Sequence, residues 1–380
     1  MKELRAGIIG FGFIGKVHAW SYLNAPLFYS GLPPVRITHV CTSREETARA
    51  GADAIGAPNA VTDYRAVTEN PDVDIVHICT PNHLHKDELL SAMRHNKHIY
   101  CDKPLTATMA EASEVEAALG SYTGTAQMTL QNRFFPSTMR AKQLVEDGFL
   151  GKVFEFRAAY LHGGSADPNA PMRWKLSGRA GGGVLADLGP HVLDIIHHLI
   201  GEFEEVSCIT RIAYARRPDA AYPSRMVPVD AEDCAMMLVK MSNGAVGTIE
   251  MTKIATGAED ELRFEIHGSN GALRFCGMDA HHLHAYDRTA ADAPIGGLRG
   301  WTHIDAGQRY PEPAMKFPGP KFNIGWMRSH MACLANFIYS LGRGEPAQPD
   351  LRQGIYLQHL IECARQANET GGWVATTQPS

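Results

Sequence analysis

Three glycines near the start of the chain have the spacing of a turn that binds phosphate groups. They follow a short apolar run at residues 4–9 and precede a stretch with helical character. A dinucleotide pyrophosphate requires such a turn, because the backbone must approach it closely and the N–H groups at the start of a helix must point towards it. Taken alone, the pattern also fits an ordinary glycine-rich turn. The residues predicted to bind the dinucleotide here are Gly10, Gly12, Phe13, Ile14 and Gly15.

The end of the second predicted strand, at residues 35–41, indicates which dinucleotide would bind. An NAD site normally carries an acidic residue at this point, where it binds the ribose 2′-hydroxyl. This chain has Thr42, Ser43 and Arg44 instead. A hydroxyl group and an arginine suit a 2′-phosphate, so the cofactor is predicted to be NAD or NADP, with a preference for NADP. The alternative is that Arg44 is a solvent-exposed residue of a surface turn.

Polar residues also follow the next two predicted strands, at residues 74–79 and 99–101. Ligands of parallel sheets bind beyond the carboxyl ends of the strands. We therefore expect both of these turns to lie around the bound cofactor. The residues concerned are Thr80, Asn82, Asp102 and Lys103.

Strands and helices alternate through the first third of the chain, with helices predicted at residues 45–55 and from about 82 to 96. Near-continuous apolar strands that alternate with amphipathic helices are typical of a parallel sheet covered on both faces. The fold class predicted for residues 1–130 is therefore α/β, a doubly wound Rossmann domain that binds the dinucleotide.

The remainder of the chain, residues 131–380, has a different pattern. After a helix predicted at residues 137–146, apolar and polar side chains alternate in several segments, as they do in antiparallel strands. We predict an α+β domain whose strands are antiparallel. The predicted strands are residues 152–161, 205–214, 233–241, 247–253, 262–267 and 272–275, and two later helices are predicted at 332–341 and 351–368.

The bulk composition agrees with two domains and argues against several classes of protein. The chain has 380 residues, of which 44% are hydrophobic and 20% are charged, and a net charge of −5 without a basic block. Nucleic acid is therefore not an expected partner. No apolar run approaches the ~20 residues of a membrane helix, and no secretion signal precedes the first strand. The eight cysteines are scattered without a C-x-x-C motif, which predicts reduced thiols and a cytoplasmic location.

Two further segments have a recognisable pattern. One reads Thr80-Pro81-Asn82-x-x-His85 and continues, after a strand, with Tyr100-Cys101-Asp102-Lys103-Pro104-Leu105-Thr106; the other is the run GGGVLADLGPHVLD at residues 181–194. Together with the glycine turn they resemble the Gfo/Idh/MocA family of oxidoreductases, which includes glucose-fructose oxidoreductase and inositol dehydrogenase. The commonest lysine motif of that family is Glu-Lys-Pro, so Asp102 keeps the charge with a shorter side chain. The insert at 25–34 and the loop at 165–168 are closest to pyranose and anhydrosugar dehydrogenases.

The resemblance implies an oxidoreductase that moves a hydride between the nicotinamide and a secondary alcohol or ketone of a sugar or cyclitol ring. It adds His85 to the predicted cofactor contacts and makes Lys103, Asp187 and His191 the predicted catalytic residues. Oxidation of an alcohol requires a base for the hydroxyl proton and a group that stabilises the alkoxide. We assign His191 as the general acid and base, and Lys103 as a hydrogen-bond donor to the same oxygen.

Asp187 precedes His191 by four residues, so on an uninterrupted helix the two side chains would share a face. Asp187 could then orient the imidazole or balance the charge of Lys103. Pro190 leaves open a helix that begins at residues 189–190, in which case the spacing decides nothing. Without the resemblance, a helix cap or a buried hydrogen-bonded side chain would be the better interpretation of both residues.

Several residues are predicted to contact the substrate besides Asp187 and His191. Arg133 could donate hydrogen bonds to ring hydroxyls, or form an ion pair between domains. Tyr160, His162 and Trp174 could form an apolar face for a sugar ring, although core packing is the commoner role of such a tryptophan. His281, His282 and His284 are predicted to lie in a solvated hairpin loop, and no metal site is predicted.

The family builds its second domain around a large, mostly antiparallel open sheet that commonly forms dimers or tetramers, and the same is expected here. Two other functions stay open. One is a glycosidase that uses tightly held NAD for oxidation, elimination and re-reduction of one sugar. The other is a non-catalytic regulator that only binds the dinucleotide. Lys103 and His191 argue against the regulator, because binding alone does not require them.

Overall fold

The computed structural model describes residues 3–306 and 325–376 and divides them into two compact units. The first unit contains residues 3–134 and 326–358, and the second contains residues 135–306, 325 and 359–376. No helix within these described ranges is long and apolar enough to cross a membrane.

The first unit is built on six parallel strands in the order β3-β2-β1-β4-β5-β6. Its elements are β1 (Leu4–Ile9), α1 (Phe13–Phe28), β2 (Val35–Cys41), α2 (Glu45–Ile55), β3 (Asn59–Val61), α3 (Arg65–Thr68), β4 (Ile75–Ile78), α4 (Asn82–Arg94), β5 (His98–Cys101), α5 (Met109–Leu119) and β6 (Ala126–Met128). Every residue of β4 is buried, as expected for a central parallel strand covered on both faces. The predicted doubly wound α/β fold is confirmed.

The second unit contains a nine-stranded sheet in the order β16-β15-β14-β13-β7-β12-β11-β8-β17. Its elements up to residue 305 are α6 (Pro136–Glu146), β7 (Val153–Leu161), α7 (Val184–Asp187), α8 (Gly189–Ile200), β8 (Phe203–Arg211), β9 (Arg216–Pro218), β10 (Met226–Pro228), β11 (Cys234–Met241), β12 (Val246–Thr252), β13 (Glu261–Gly268), β14 (Gly271–Cys276), β15 (His282–Asp287) and β16 (Trp301–Asp305). The chain continues with α9 (Trp326–Arg343), α10 (Leu351–Thr370) and β17 (Val374–Ala375). The predicted α+β class with a large, mostly antiparallel sheet is confirmed.

Two details of this sheet differ from the predictions. β7 and β12 pair in parallel, although the segments were predicted to be antiparallel. A parallel pair requires a long crossover connection between its two strands. Helix α8 and the strands β8 and β11, which lie between β7 and β12 in the chain, supply that connection.

The three histidines predicted to lie in a solvated hairpin loop belong to strand β15 and its start. His281 contacts Asp305 at 2.8 Å, and His282 contacts Asp279 at 2.9 Å. The ring of His284 packs against that of His303 at a centroid distance of 4.0 Å. Long-range pairing of β15 with β14 and β16 overrides the polar composition that favoured a loop.

Helix α9 packs in the first unit although it lies far along the chain. Ala332, Leu334 and Phe337 are fully buried in the same hydrophobic cluster as Ala6 and Ile8 of β1. The first unit therefore extends to residue 134 and includes residues 326–358, whereas the sequence analysis placed everything after residue 130 in the second domain. The apolar stripe of α9 matches the surface of a sheet as well as that of a bundle, so its sequence does not tell which unit it joins.

Candidate functional site

Two positions in the turn between β1 and α1 accept only glycine. Gly10 has a φ of +89°, and a Cβ added there would lie 2.5 Å from the carbonyl oxygen of Cys79. A Cβ added at the buried Gly15 would collide with the carbonyl oxygen of Gly10. The first and third glycines of the motif therefore allow β1, β4 and α1 to approach closely.

Gly12 has a different role in the same turn. It caps α1 without a side-chain hydrogen bond, and an added Cβ would meet no heavy atom within 4 Å. Neighbouring Phe13 is 74% exposed and stacks on Trp326, while Ile14 is half-buried. The first N–H groups of α1 thus open onto space at the carboxyl edge of the sheet, which fits the close approach of a pyrophosphate.

At the end of β2, the Thr42 hydroxyl donates a hydrogen bond to the carbonyl oxygen of Arg44 at 2.9 Å. Ser43 and Arg44 are exposed, and Arg44 caps α2. The nearest carboxylates along the chain, Glu45 and Glu46, lie in the first turn of that helix, where a negative charge is favourable. The exposed position of Arg44 fits both interpretations, a residue of a surface turn and a ligand of a 2′-phosphate, so the preference for NADP stays a prediction.

His85 ties together the turns that follow β4 and β5. One ring nitrogen lies 2.9 Å from the carbonyl oxygen of Thr80, and the other lies 2.9 Å from that of Pro104. The ring is fully buried, and burial lowers the pKa of His85 although both carbonyls favour the charged form. His85 therefore holds the Lys103-Pro104 turn against the turn after β4, and its predicted direct contact with the cofactor stays a prediction.

The other residues predicted at these strand ends differ in exposure. Asp102 and Lys103 are half-buried, and Asn82 is buried at the first position of α4. The Thr80 hydroxyl donates a hydrogen bond to Glu88 at 2.7 Å, and burial raises the pKa of Glu88 to about 8. Glu88, which no sequence motif indicated, is therefore largely protonated at neutral pH.

Arg133 is half-buried and lies in the 3₁₀ helix Gln131–Phe134. This helix ends the first of the chain segments that make up the first unit. Its predicted contact with substrate stays a prediction.

Asp187 and His191 do not share one helix, which confirms the alternative in which a helix begins at residues 189–190 and the spacing decides nothing. α7 ends at Asp187, and α8 begins at Gly189 with Pro190 in its first turn. His191 is 6% exposed. The pair stays in one cluster because the short α7 leads directly into α8, and not because of the periodicity of one helix.

Two lysines hold the carboxylate of Asp187. The Lys175 ammonium lies 2.8 Å from one oxygen, and the Lys253 ammonium lies 3.0 Å from the other. The two lysines differ in exposure, since the side chain of Lys175 is 48% exposed and that of Lys253 only 8%. The buried cation therefore acts on Asp187 with much less screening by water.

Tyr160, His162 and His191 meet around a second carboxylate, Asp260. The Tyr160 hydroxyl donates to Asp260 at 2.6 Å, and His162 Nε2 lies 2.9 Å from the same oxygen. The ring of Tyr160 meets that of His191 edge to face, with centroids 5.6 Å apart. Burial raises the pKa of Tyr160 well above its usual value, so the phenol stays neutral.

Asp260 stays ionised in this cluster. Partial burial alone would raise its pKa, but hydrogen bonds from His162 and Tyr160 outweigh that effect, and the pKa of Asp260 lies below its usual value. Tyr160 is 5% exposed and uses its hydroxyl within the unit, so a contact with substrate would involve only the edge of its ring.

Trp174 lies in the 3₁₀ helix Trp174–Leu176 and is half-buried, with the Lys175 ammonium 5.7 Å from the centre of its ring. It is thus neither a fully buried core residue nor a fully exposed one.

The structure groups the predicted site residues by unit. The first unit holds the glycine turn, the residues after β2, the two turns joined by His85, and Arg133. The second unit brings Tyr160, His162, Asp187 and His191 into one cluster, and it adds Lys253 and Asp260, which the sequence analysis missed. Lys253 directly follows β12, which ends at residue 252, and Asp260 directly precedes β13, which begins at residue 261. A charged residue beside the end of an alternating segment was the signal in the sequence that could have identified them. The convergence of Lys103 with His191 stays a prediction.

Comparison with protein families gives two matches that together span most of the chain. Residues 4–129 match an oxidoreductase family described by its NAD-binding Rossmann fold, and residues 142–376 match the C-terminal alpha/beta domain of the same family.

Individual relatives agree with these matches. The chain is 30% identical to a levoglucosan dehydrogenase of Pseudarthrobacter phenanthrenivorans, over 100% of both chains. It is 26% identical to a myo-inositol 2-dehydrogenase of Thermotoga maritima, over 71% of this chain and 74% of the relative. A solved structure of levoglucosan dehydrogenase in complex with NADH and levoglucosan matches with a TM-score of 0.92 at 30% identity, over 100% of both chains.

Proposed function

Because the chain belongs to the Gfo/Idh/MocA family of oxidoreductases, we propose that it is a dehydrogenase that oxidises a ring hydroxyl of an anhydrosugar or a closely related sugar or cyclitol. The observation that carries this proposal is the cluster in the second unit, where the imidazole of His191 meets the neutral phenol of Tyr160, whose hydroxyl donates to the Asp260 carboxylate. Such a cluster can accept a hydroxyl proton at neutral pH. The relatives named for levoglucosan and inositol support the class of substrate.

In the proposed mechanism, His191 removes the proton from the substrate hydroxyl, and the Lys103 ammonium hydrogen-bonds the same oxygen as its charge develops. The carboxylate of Asp187 stabilises the imidazolium that His191 becomes. The bound dinucleotide supplies the acceptor for the hydride of the carbinol carbon. Gly10, Gly12 and Gly15 fit its pyrophosphate, because the turn leaves the start of α1 open.

A panel of substrates tests the proposal. Purified protein is mixed with NAD or NADP and with levoglucosan, myo-inositol, free glucose or a glucoside, and the absorbance of the reduced nicotinamide is followed. We expect stoichiometric reduction with at least one unmodified sugar or cyclitol. Cleavage of the glucoside without net reduction would instead support the glycosidase, and dinucleotide binding without either reaction would support the regulator.

Substitution of Lys253 should alter the pH dependence of the reaction more than substitution of Lys175. Removal of a buried cation favours the protonated form of the groups around it, so in Lys253→Met the acidic limb of kcat/KM should move to higher pH by about one unit. In Lys175→Met the shift should be much smaller, since that ammonium is half-exposed. Both profiles are measured with the best substrate of the panel.

Lys253→Arg serves as the conservative control. Because it keeps the positive charge, the acidic limb of its kcat/KM profile should lie close to that of wild type. Equal shifts for Lys175→Met and Lys253→Met would contradict the idea that the buried lysine sets the charge of Asp187.

We also propose that Arg44 allows the site to accept NADP. Its exposed side chain beside Ser43 and Thr42 can reach a 2′-phosphate, and no carboxylate of β2 or its following turn opposes it. In Arg44→Ala, the KM for NADP should rise about tenfold because one charge-assisted hydrogen bond is lost, while the KM for NAD should stay the same. An equal change for both dinucleotides would show that Arg44 does not read the 2′-phosphate.

The open face of the large sheet supports a homo-oligomer, either a dimer or a tetramer. Ile209, Met236, Leu238 and Val246 lie on one face of β8, β11 and β12, and each is at least 48% exposed. An apolar patch of this kind commonly binds another protein surface. Leu238→Glu should therefore convert the oligomer to monomers in light scattering after gel filtration, whereas Glu146→Ala at an exposed position of α6 should not. A wild-type chain that elutes as a monomer would refute the proposal.

A further inference from the structure

A cluster of buried nitrogen and sulfur atoms lies beneath the glycine turn of the first unit. His18 projects from α1, while His77 lies in β4 and Cys79 directly follows it. His18 and His77 have no exposed surface, and Cys79 is 7% exposed. Alternate residues of a strand point to the same side, so His77 and Cys79 both face α1.

The three side chains bring their ligating atoms close together. His77 Nε2 lies 2.7 Å from His18 Nδ1, and Cys79 Sγ lies 3.4 Å from the same nitrogen. All three atoms fall within 4.8 Å of one another. Ligands of one three-coordinate metal ion lie roughly 3.5 Å apart, given bond lengths of about 2.0 Å to nitrogen and 2.3 Å to sulfur. The two imidazoles would therefore separate by less than ~1 Å to admit an ion.

We propose that His18, His77 and Cys79 form a binding site for one soft metal ion, Cu(I). Imidazole and thiolate are the ligands that such an ion prefers, and three of them satisfy it. On binding, the Cys79 thiol loses its proton to solvent and a Cu–S bond forms, with no change in oxidation state. Cu(I) and one thiolate are together neutral, which a buried site tolerates, whereas Zn²⁺ with the same ligands would leave a buried positive charge.

The surroundings of the histidines agree with this role. The other nitrogen of His18, Nε2, lies 3.2 Å from His330 Nδ1. A metal-binding histidine commonly hydrogen-bonds through its second nitrogen, which fixes its orientation.

Competition with a Cu(I) chelator tests the site. The full-length protein is titrated without oxygen into the complex of Cu(I) with bicinchoninate, and the loss of the colour of that complex is measured. We expect wild type to remove one equivalent, and Cys79→Ala and His18→Asn to remove none under the same conditions. Cys363→Ala is the matched control, because its thiol also contacts an imidazole, that of His359 at 3.5 Å, but without a second histidine. It should retain the full equivalent.

Two further measurements need no assumption that the variants fold. X-ray absorption of the loaded wild-type protein should give one sulfur and two nitrogen neighbours around copper. Binding to the folded state should also raise the Tm of wild type, because the ion would link α1 to β4. The proposal is overturned if wild type removes no copper, if Cys79→Ala that still binds NADH removes as much as wild type, or if the copper has only sulfur neighbours.

Discussion

Replacement of Lys103 by methionine, or of His191 by alanine, is expected to lower kcat by roughly a thousandfold, because each variant loses a group that acts on the hydroxyl proton. The dissociation constant for the dinucleotide should change by no more than a few-fold, because Lys103 is one of many predicted cofactor contacts and the pyrophosphate is expected to bind the glycine turn. Steady-state kinetics with the best sugar, together with quenching of protein fluorescence by NADH, measures both quantities.

The controls are a lysine and a histidine outside the proposed site. Lys142→Met removes a lysine of α6 that pairs with Glu146, and His198→Ala removes a histidine near the end of α8. Both controls should keep kcat within about twofold of wild type, because neither side chain belongs to the proposed site. Turnover near the wild-type rate in either Lys103→Met or His191→Ala would mean that the catalytic roles are misassigned.

Alanine at position 10 is expected to abolish dinucleotide binding and to destabilise the first unit. The added Cβ would meet the Cys79 carbonyl group and the Thr80 nitrogen, and alanine rarely adopts a φ of +89°. Overpacking of this kind typically costs about 1–3 kcal/mol, and the turn would have to move away from its pyrophosphate-binding conformation. Thermal unfolding and NADH titration of Gly10→Ala measure the two effects.

Gly12→Ala separates binding from stability in the same turn. Its Cβ would meet no protein atom within 4 Å and its φ is −75°, so the Tm should stay close to that of wild type. The methyl group would nevertheless occupy space at the start of α1, and NADH affinity should fall at least about tenfold, or by 1.4 kcal/mol. If Gly12→Ala binds NADH as tightly as wild type, the pyrophosphate does not lie against this turn.

The first unit could be predicted from the sequence because its signals are local. The glycine spacing, the apolar segment at 75–78 and the helical pattern at 45–55 can each be recognised within a short stretch of sequence. The observed β4 and α2 match the predicted strand and helix. The contribution of α9 could not be predicted, because its partners in β1 lie more than 300 residues earlier in the chain.

The candidate site of the second unit was predictable only in part for the same reason. Asp187 and His191 belong to one continuous motif, but Lys253 and Asp260 reach the site through the pairing of β7 with β12 and β13. The buried cluster of His18, His77 and Cys79 is spread over 61 positions. The three histidines within residues 281–284 were more conspicuous in the sequence, but in the fold they pair with aspartates and with another histidine.

The central claim is that Lys103 and His191 act on the same substrate hydroxyl, and the double variant Lys103→Met/His191→Ala tests it most directly. Residues that act as a unit have strongly non-additive effects on kcat. We therefore predict that the double variant, once its NADH affinity is shown to match that of the single variants, is no more than a few-fold slower than the slower of them. If the two losses multiply instead, the lysine and the imidazole act independently and the account is contradicted.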